Sequence, residues 1–240
     1  MRMRRTFSIF TMLCMAFMLS AQSQQSQSLG VQLGFAESVL RDNTVSHTKK
    51  LDNVTISDGL KVGLIYDATL IKGFGMSMAI NYAFTMDAGK WVIENEMYVA
   101  KKIRTARMLH TIELPIEWQY KFKIATDTWL IAYTGPNLQY NFAFKETITR
   151  RNDATGQTSE DKNKHYDVDA DGDGNSDYSR FNIQWGVGAG FQYQNYYIRG
   201  GYNFGIYNHF RDNYNDTGAY SNRARFDEWS IRLGIYFLNF

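Results

Sequence analysis

Large apolar residues Phe74, Met76, Met78, Ile80, Tyr82 and Phe84 alternate without a break with Gly75, Ser77, Ala79, Asn81 and Ala83. Successive side chains of a β-strand point to opposite faces, so this segment has one bulky apolar face and one small or polar face. The same period of two runs through Ile112, Leu114, Ile116, Trp118, Tyr120 and Phe122, which alternate with Thr111, Glu113, Pro115, Glu117, Gln119 and Lys121. It recurs at Phe181, Ile183, Trp185, Val187, Ala189, Phe191 and Tyr193, set between Asn182, Gln184, Gly186, Gly188, Gly190 and Gln192. Five looser segments, Leu29 to Glu37, Gly59 to Asp67, Trp129 to Phe144, Tyr196 to Tyr207 and Phe226 to Phe237, bring the total to eight strands. In the last of these Trp229, Ile231, Leu233, Ile235 and Phe237 share a face.

The connections constrain the fold further. In chain order they are 38–58, 68–73, 85–110, 123–128, 145–180, 194–195 and 208–225, so long and short alternate throughout. An up-and-down barrel in the outer membrane has short periplasmic turns and long external loops, and about 9–11 tilted residues carry a strand across the bilayer. A secreted sandwich has no reason to gather its long loops at one end. A barrel of eight strands is too narrow to enclose a bulky residue from every second position. The bulky face is therefore expected to meet lipid and the small polar face to fill the lumen. Tyr66, Tyr82, Trp118, Tyr120, Trp129, Tyr193, Tyr196 and Trp229 lie near strand ends, where aromatic girdles form. Mean hydropathy is −0.40, and beyond the N-terminus no stretch approaches the 18 apolar residues of a membrane helix.

The first residues read as a secretory signal peptide, residues 1–21. Arg2, Arg4 and Arg5 precede an apolar run from Phe7 to Leu19, and Leu19-Ser20-Ala21 offers small residues for cleavage. A short polar segment, 22–28, then leads into the barrel domain, 29–240. Cleavage removes three of 26 Lys and Arg and none of 24 Asp and Glu, so the mature formal charge is 23 − 24 = −1. No general basic character remains to suggest nucleic acid. Cys14, the chain's one cysteine, lies in the signal, so the mature chain has no disulfide, thiolate nucleophile or Cys-metal site.

Eight strands behind a signal peptide, the segment Ile112-Glu113-Leu114-Pro115-Ile116 and the strand Trp185-Gly186-Val187-Gly188-Ala189-Gly190-Phe191 resemble the PorT-like outer-membrane β-barrel family. The resemblance covers essentially the whole mature chain. It implies a small barrel like those of OmpA and OmpX, placed in the cell outer membrane, and one subgroup of the family belongs to a protein secretion machine. Strands of the family usually finish on a terminal aromatic, here Phe237. This chain adds Leu238-Asn239-Phe240, whose Phe240 is out of phase with Phe237.

Three groups of residues carry possible chemistry. Asp167, Asp169, Asp171, Asp173 and Asp177 surround Gly172 and Gly174 in the loop 145–180. Alternate aspartates on a glycine turn can aim several carboxylates at one hard cation, and Asp169, Asp171, Asp173 and Asp177 are the expected calcium ligands; a solvated acidic loop is the other reading. On the lumen face Glu113, Glu117, Lys61, Lys121, Arg199 and Arg232 are expected to pair as a plug, because a buried charge is tolerated only when paired. The competing reading of that set is a gated ion path. His47, His110, His165 and His209 fall on or near the long loops without any catalytic spacing.

The reading is thus a monomeric, non-catalytic outer-membrane barrel without an open pore. Its role is envelope-structural, surface-binding or in a secretion assembly. Its partners are outer-membrane lipid and lipopolysaccharide, with an envelope or secretion-machine protein as a further partner, and no cofactor is required beyond the calcium option. The alternative is an outer-membrane lipid-modifying enzyme of the lipid A hydrolase or acyltransferase type.

Overall fold

The computed structural model describes residues 26–42, 54–96, 99–153, 155–167, 176, 178–209 and 224–240. Its strands are β1 (Ser26–Asp42), β2 (Val54–Ile71), β3 (Phe74–Asp87), β4 (Trp91–Glu96), β5 (Val99–Ala125), β6 (Thr128–Asn152), β7 (Thr158–Lys164), β8 (Phe181–Tyr193), β9 (Tyr196–Gly205) and β10 (Ala224–Asn239). A one-turn 3-10 helix, His165–Asp167, follows β7. Residues 1–25, which contain the expected signal peptide, lie outside the described residues.

Eight of these strands close a ring in the order β1-β2-β3-β5-β6-β8-β9-β10, every pairing antiparallel. The first strand closes on the last, from Ser28 opposite Asn239 to Asp42 opposite Ala224. Closure gives every wall strand a hydrogen-bonded neighbour on both sides, which hydrocarbon demands because no water is there to satisfy an edge. The short connections 68–73 and 123–128 tighten to Lys72-Gly73 and Thr126-Asp127, and Gln194-Asn195 stands as read from the sequence. Lys72 and Gly73 have φ of 47° and 89°, the positive values that suit a two-residue hairpin turn between twisted strands.

The faces fall as expected. Leu33, Leu60, Val62, Leu64, Ile80, Leu130, Ile231 and Leu233 point outward and exposed, while Gln32, Asn81, Gln119, Gln139, Asn182 and Gln184 point inward and are buried. Tyr120, Tyr193 and Tyr196 stand exposed at the turn end, and Phe142, Tyr140 and Phe181 do so toward the loop end. Both levels fit girdles at the two membrane interfaces.

The sequence reading differs from the structure in several places. The first strand begins at Ser26, inside the stretch 22–28 read as a polar lead, because ladder bonds to β2 and β10 need only backbone. The connection 85–110 is largely strand, and 145–180 contains the end of β6, to Asn152, and the whole of β7, Thr158–Lys164. β5 runs for 27 residues and β6 for 25, well beyond a crossing of about 9–11, and β4 and β7 pair onto their outer ends. A four-stranded sheet thus stands beyond the wall at the loop end. Phe240 does not stay out of phase with Phe237. A bulge sets Leu29 opposite Leu238 and Gly30 opposite Tyr236, leaving Phe237 as the extra residue. Beyond it Phe240 pairs with Gln27 through backbone bonds of 2.8 and 3.2 Å, on the same side as Phe237.

Candidate functional site

The lumen holds two tiers of paired charge. Toward the turn end Arg199 is completely buried and reaches two carboxylates, Asp67 at 2.8 Å and Glu117 at 3.0 Å. Arg232 donates to the other oxygen of Glu117 at 2.6 Å, and Lys121 reaches Asp67 at 2.8 Å. Neutral groups complete the tier. Arg199 also donates to Ser77 Oγ at 2.8 Å and Gln119 Oε1 at 2.9 Å, and the Tyr236 hydroxyl donates to Asp67 at 2.9 Å. Toward the loop end Lys61 donates to Glu113 at 2.7 Å and to Glu228. Gln139 donates to Glu113 at 3.0 Å, Asn203 to Glu228 at 3.2 Å, and Asn182 to Gln139 at 2.8 Å.

The strands place these groups by parity. Lys61 and Asp67 lie on β2, Glu113, Glu117 and Lys121 on β5, Arg199 on β9, and Glu228 and Arg232 on β10. Among the described residues four cations meet four carboxylates in this network, so their formal charges sum to zero. The tiers themselves are not neutral. Arg199, Arg232 and Lys121 face Asp67 and Glu117, whereas Lys61 is shared by Glu113 and Glu228.

Every charged lumen residue read from the sequence is brought into this network. Asp67, Glu228, Tyr133, Tyr197 and Tyr236 were missed. Glu228 carried a usable signal, because Glu228, Ser230 and Arg232 follow one parity on one strand. The tyrosines point inward against the expectation that bulky residues face lipid. Glycines on facing strands make the room: a Cβ at Gly188 would overlap the Tyr133 ring, and one at Gly234 the Tyr197 ring. Both arginines lie over these rings, Arg232 at 5.3 Å from Tyr133 and Arg199 at 5.2 Å from Tyr197.

At the loop end the polar tiers are closed by an apolar cap of Leu40, Leu109, Phe144, Tyr166, Ala224 and Phe226. His209 packs into it, 4.6 Å from the Phe226 ring and 5.9 Å from Tyr166. At the turn end the lumen opens into a vestibule of about 1020 Å³ bordered by Lys72, Lys121, Lys123, Asp127, Trp129 and Tyr196. His110 stands on the outer surface, its Nδ1 2.8 Å from the Tyr82 hydroxyl, between Phe84 and Phe142. The expected calcium ligands Asp169, Asp171, Asp173 and Asp177 lie outside the described residues, as do His47 and the side chain of His165.

A closed antiparallel ring with lipid-facing apolar residues has its counterpart in the family comparison, where residues 21–211 match the outer membrane protein beta-barrel domain. The chain belongs to that family. This barrel is an integral protein of the outer membrane. Among solved structures it is similar to Ail, the attachment invasion locus protein of Yersinia pestis, at 15% identity over 90% of this chain and 100% of that one, with a TM-score of 0.39. It is similar to Neisserial surface protein A at 14% identity over 88% and 99% of the two chains, with a TM-score of 0.37. It is also similar to the outer membrane protease OmpT from Escherichia coli, at 11% identity over 89% and 96%, with a TM-score of 0.28. A search of the curated proteins finds no match.

Proposed function

We propose that this family barrel is non-catalytic and closed to ions, with its turn end periplasmic and its loop end outside the cell. It serves the envelope through its surfaces, as a structural element, a binding surface or part of a secretion assembly. Within the family we place it with the PorT-like members, on the segments Ile112–Ile116 and Trp185–Phe191. The observation that carries the reading is the lumen. Paired, buried charges beneath an apolar cap place side chains along the barrel axis. The described histidines support it as well. His110 is tied to Tyr82 on the lipid side, and His209 is packed inside the apolar cap.

Planar-bilayer recording of the purified protein is expected to show no stable large conductance, and a reproducible pore would overturn the closed reading. Protease added to intact cells is expected to cut within residues 145–180, and protection there with cleavage at the turns would reverse the orientation. In-cell cross-linking then separates the roles. Partners captured from the turn end favour a secretion assembly, and those captured from the projecting sheet favour surface binding. Lipid A altered on overexpression, and restored by His110→Ala, would move the assignment to the enzyme.

A further inference from the structure

One face of the projecting sheet carries more lysine and arginine than carboxylate among the described residues; Glu160, opposite Thr149, shares that face and lies 3.9 Å from Lys162. Directly opposed residues of antiparallel strands share a face. By that rule Lys145 stands beside Met108 and Lys164, Arg104 beside Thr149, and Lys102 beside Arg151. Leu109 and Phe144 point into the cap, so Met108 and Lys145 point outward, in line with the lipid-facing wall below. Two like-charged pairs therefore stand abreast on this face, an arrangement that is destabilising on its own.

The two pairs are compensated differently. Asp153 lies 2.7 Å from Lys102 and 3.5 Å from Arg151. The hydrogen bond from Lys102 holds the Asp153 carboxyl below its usual range, so it stays anionic. Near Lys145 and Lys164 the described carboxylate is Asp167, 3.4 Å from Lys164 and 3.8 Å from Arg180. These four residues border a notch of about 70 Å³ beside Phe142. It exists because β6 changes neighbours there, pairing with β8 up to Tyr140 and with β7 from Lys145. Arg180 is fixed at its side, donating to the Phe142 carbonyl at 3.0 Å and lying 5.1 Å over the Tyr166 ring. Below the notch Phe142, Tyr140 and Phe181 face outward at the girdle.

We propose that this notch binds the phosphate of an outer-leaflet glycolipid headgroup through Lys145, Lys164 and Arg180, with the acyl chains running down past Phe142 and Phe181. Among the described residues three cations border the notch with one carboxylate, a balance that suits a multiply charged oxyanion. The position selects a lipid phosphate over a soluble one, because the notch opens where the basic face meets the lipid-facing aromatics. The proposal rests on the reading that the loop end faces outward, and protease accessibility on cells tests that reading separately.

The test is calorimetry on the purified full chain in a non-ionic detergent, titrated with bisphosphorylated lipid A and with the same lipid after dephosphorylation. Wild type is expected to bind the phosphorylated form about tenfold more tightly. The double variant Lys145→Gln, Lys164→Gln is expected to lose that preference. Lys72→Gln, Lys123→Gln, an equal change of charge at the turn end, is expected to keep it. Heat-modified gel mobility verifies that each variant is folded, and the comparison of two lipids on wild type needs no variant. Equal affinity of wild type for both lipids, or an unchanged preference in the Lys145 and Lys164 variant, overturns the proposal. Displacement of lipid A by millimolar inorganic phosphate would overturn it in favour of a free anion.

Discussion

The lumen and the outer face of the projecting sheet are both rich in lysine and arginine, yet they treat charge in opposite ways. Inside, Arg199 meets Asp67 and Glu117, Arg232 meets Glu117, Lys121 meets Asp67, and Lys61 meets Glu113 and Glu228. Outside, Lys145 stands opposite Lys164 and Lys102 opposite Arg151. A buried ion has lost its water, and only a partner makes that loss tolerable. An exposed lysine keeps its water, so a neighbour of like sign costs little. Matching inside is thus required for the barrel to fold. The mismatch outside is unforced by folding, and that makes it the better pointer to a ligand.

The comparison is broken most directly at Glu117, which accepts from Arg199 and Arg232 at once. Glu117→Ala leaves two buried guanidinium groups sharing what remains of the tier. It is expected to lower barrel stability by about 3–5 kcal/mol, read from urea unfolding in detergent. A loss no larger than that of a surface pair would mean that water reaches the lumen and screens it. A smaller interior effect is expected from Gly188→Val, whose side chain would press on the Tyr133 ring beneath Arg232. Overpacking of this kind costs about 1–3 kcal/mol. Retained stability there would show that Tyr133 can swing aside. On the projecting sheet Arg150→Gln, which removes an exposed pair with Asp161, is expected to change stability by less than about 1 kcal/mol.

Much of this contrast was legible in the sequence, for a physical reason. The side-chain period of a strand is two, so residues i, i+2 and i+4 report one face without knowledge of the partner strand. Glu113 and Glu117, like Lys121, could be put in the lumen from their own segment alone. Which tier each joins depends on stagger between strands, and that is set by backbone pairing across the ring. The sequence pattern of the second strand fades at Asp67, which hides its place in the lumen, although β2 continues to Ile71. The inward tyrosines depend on glycines of other strands, so no single segment announces them. β7 was unreadable for another reason. All seven of its residues are exposed, so it has no apolar alternation, and it is held by pairing to β6 behind the turn at Gly156.

The finest test of the comparison changes the sign of one charge. Lys145 makes no ion pair among the described residues and faces Lys164 directly across β6 and β7. Lys145→Glu turns a like-charged pair into an opposite pair without removing an existing bridge. Cross-strand pairs of opposite charge contribute about 0.2–1 kcal/mol, so amide exchange in the β6–β7 hairpin is expected to slow by about two- to fivefold. The same change places a carboxylate in the notch, and binding of bisphosphorylated lipid A is expected to fall below that of Lys145→Gln. The two readouts move in opposite directions only if the lysine pair is kept for a ligand at the expense of local stability. Faster exchange in the hairpin would show that Lys145 supports the sheet in some other way. Slower exchange with lipid A binding intact would show that the basic face repels itself to no purpose at this notch.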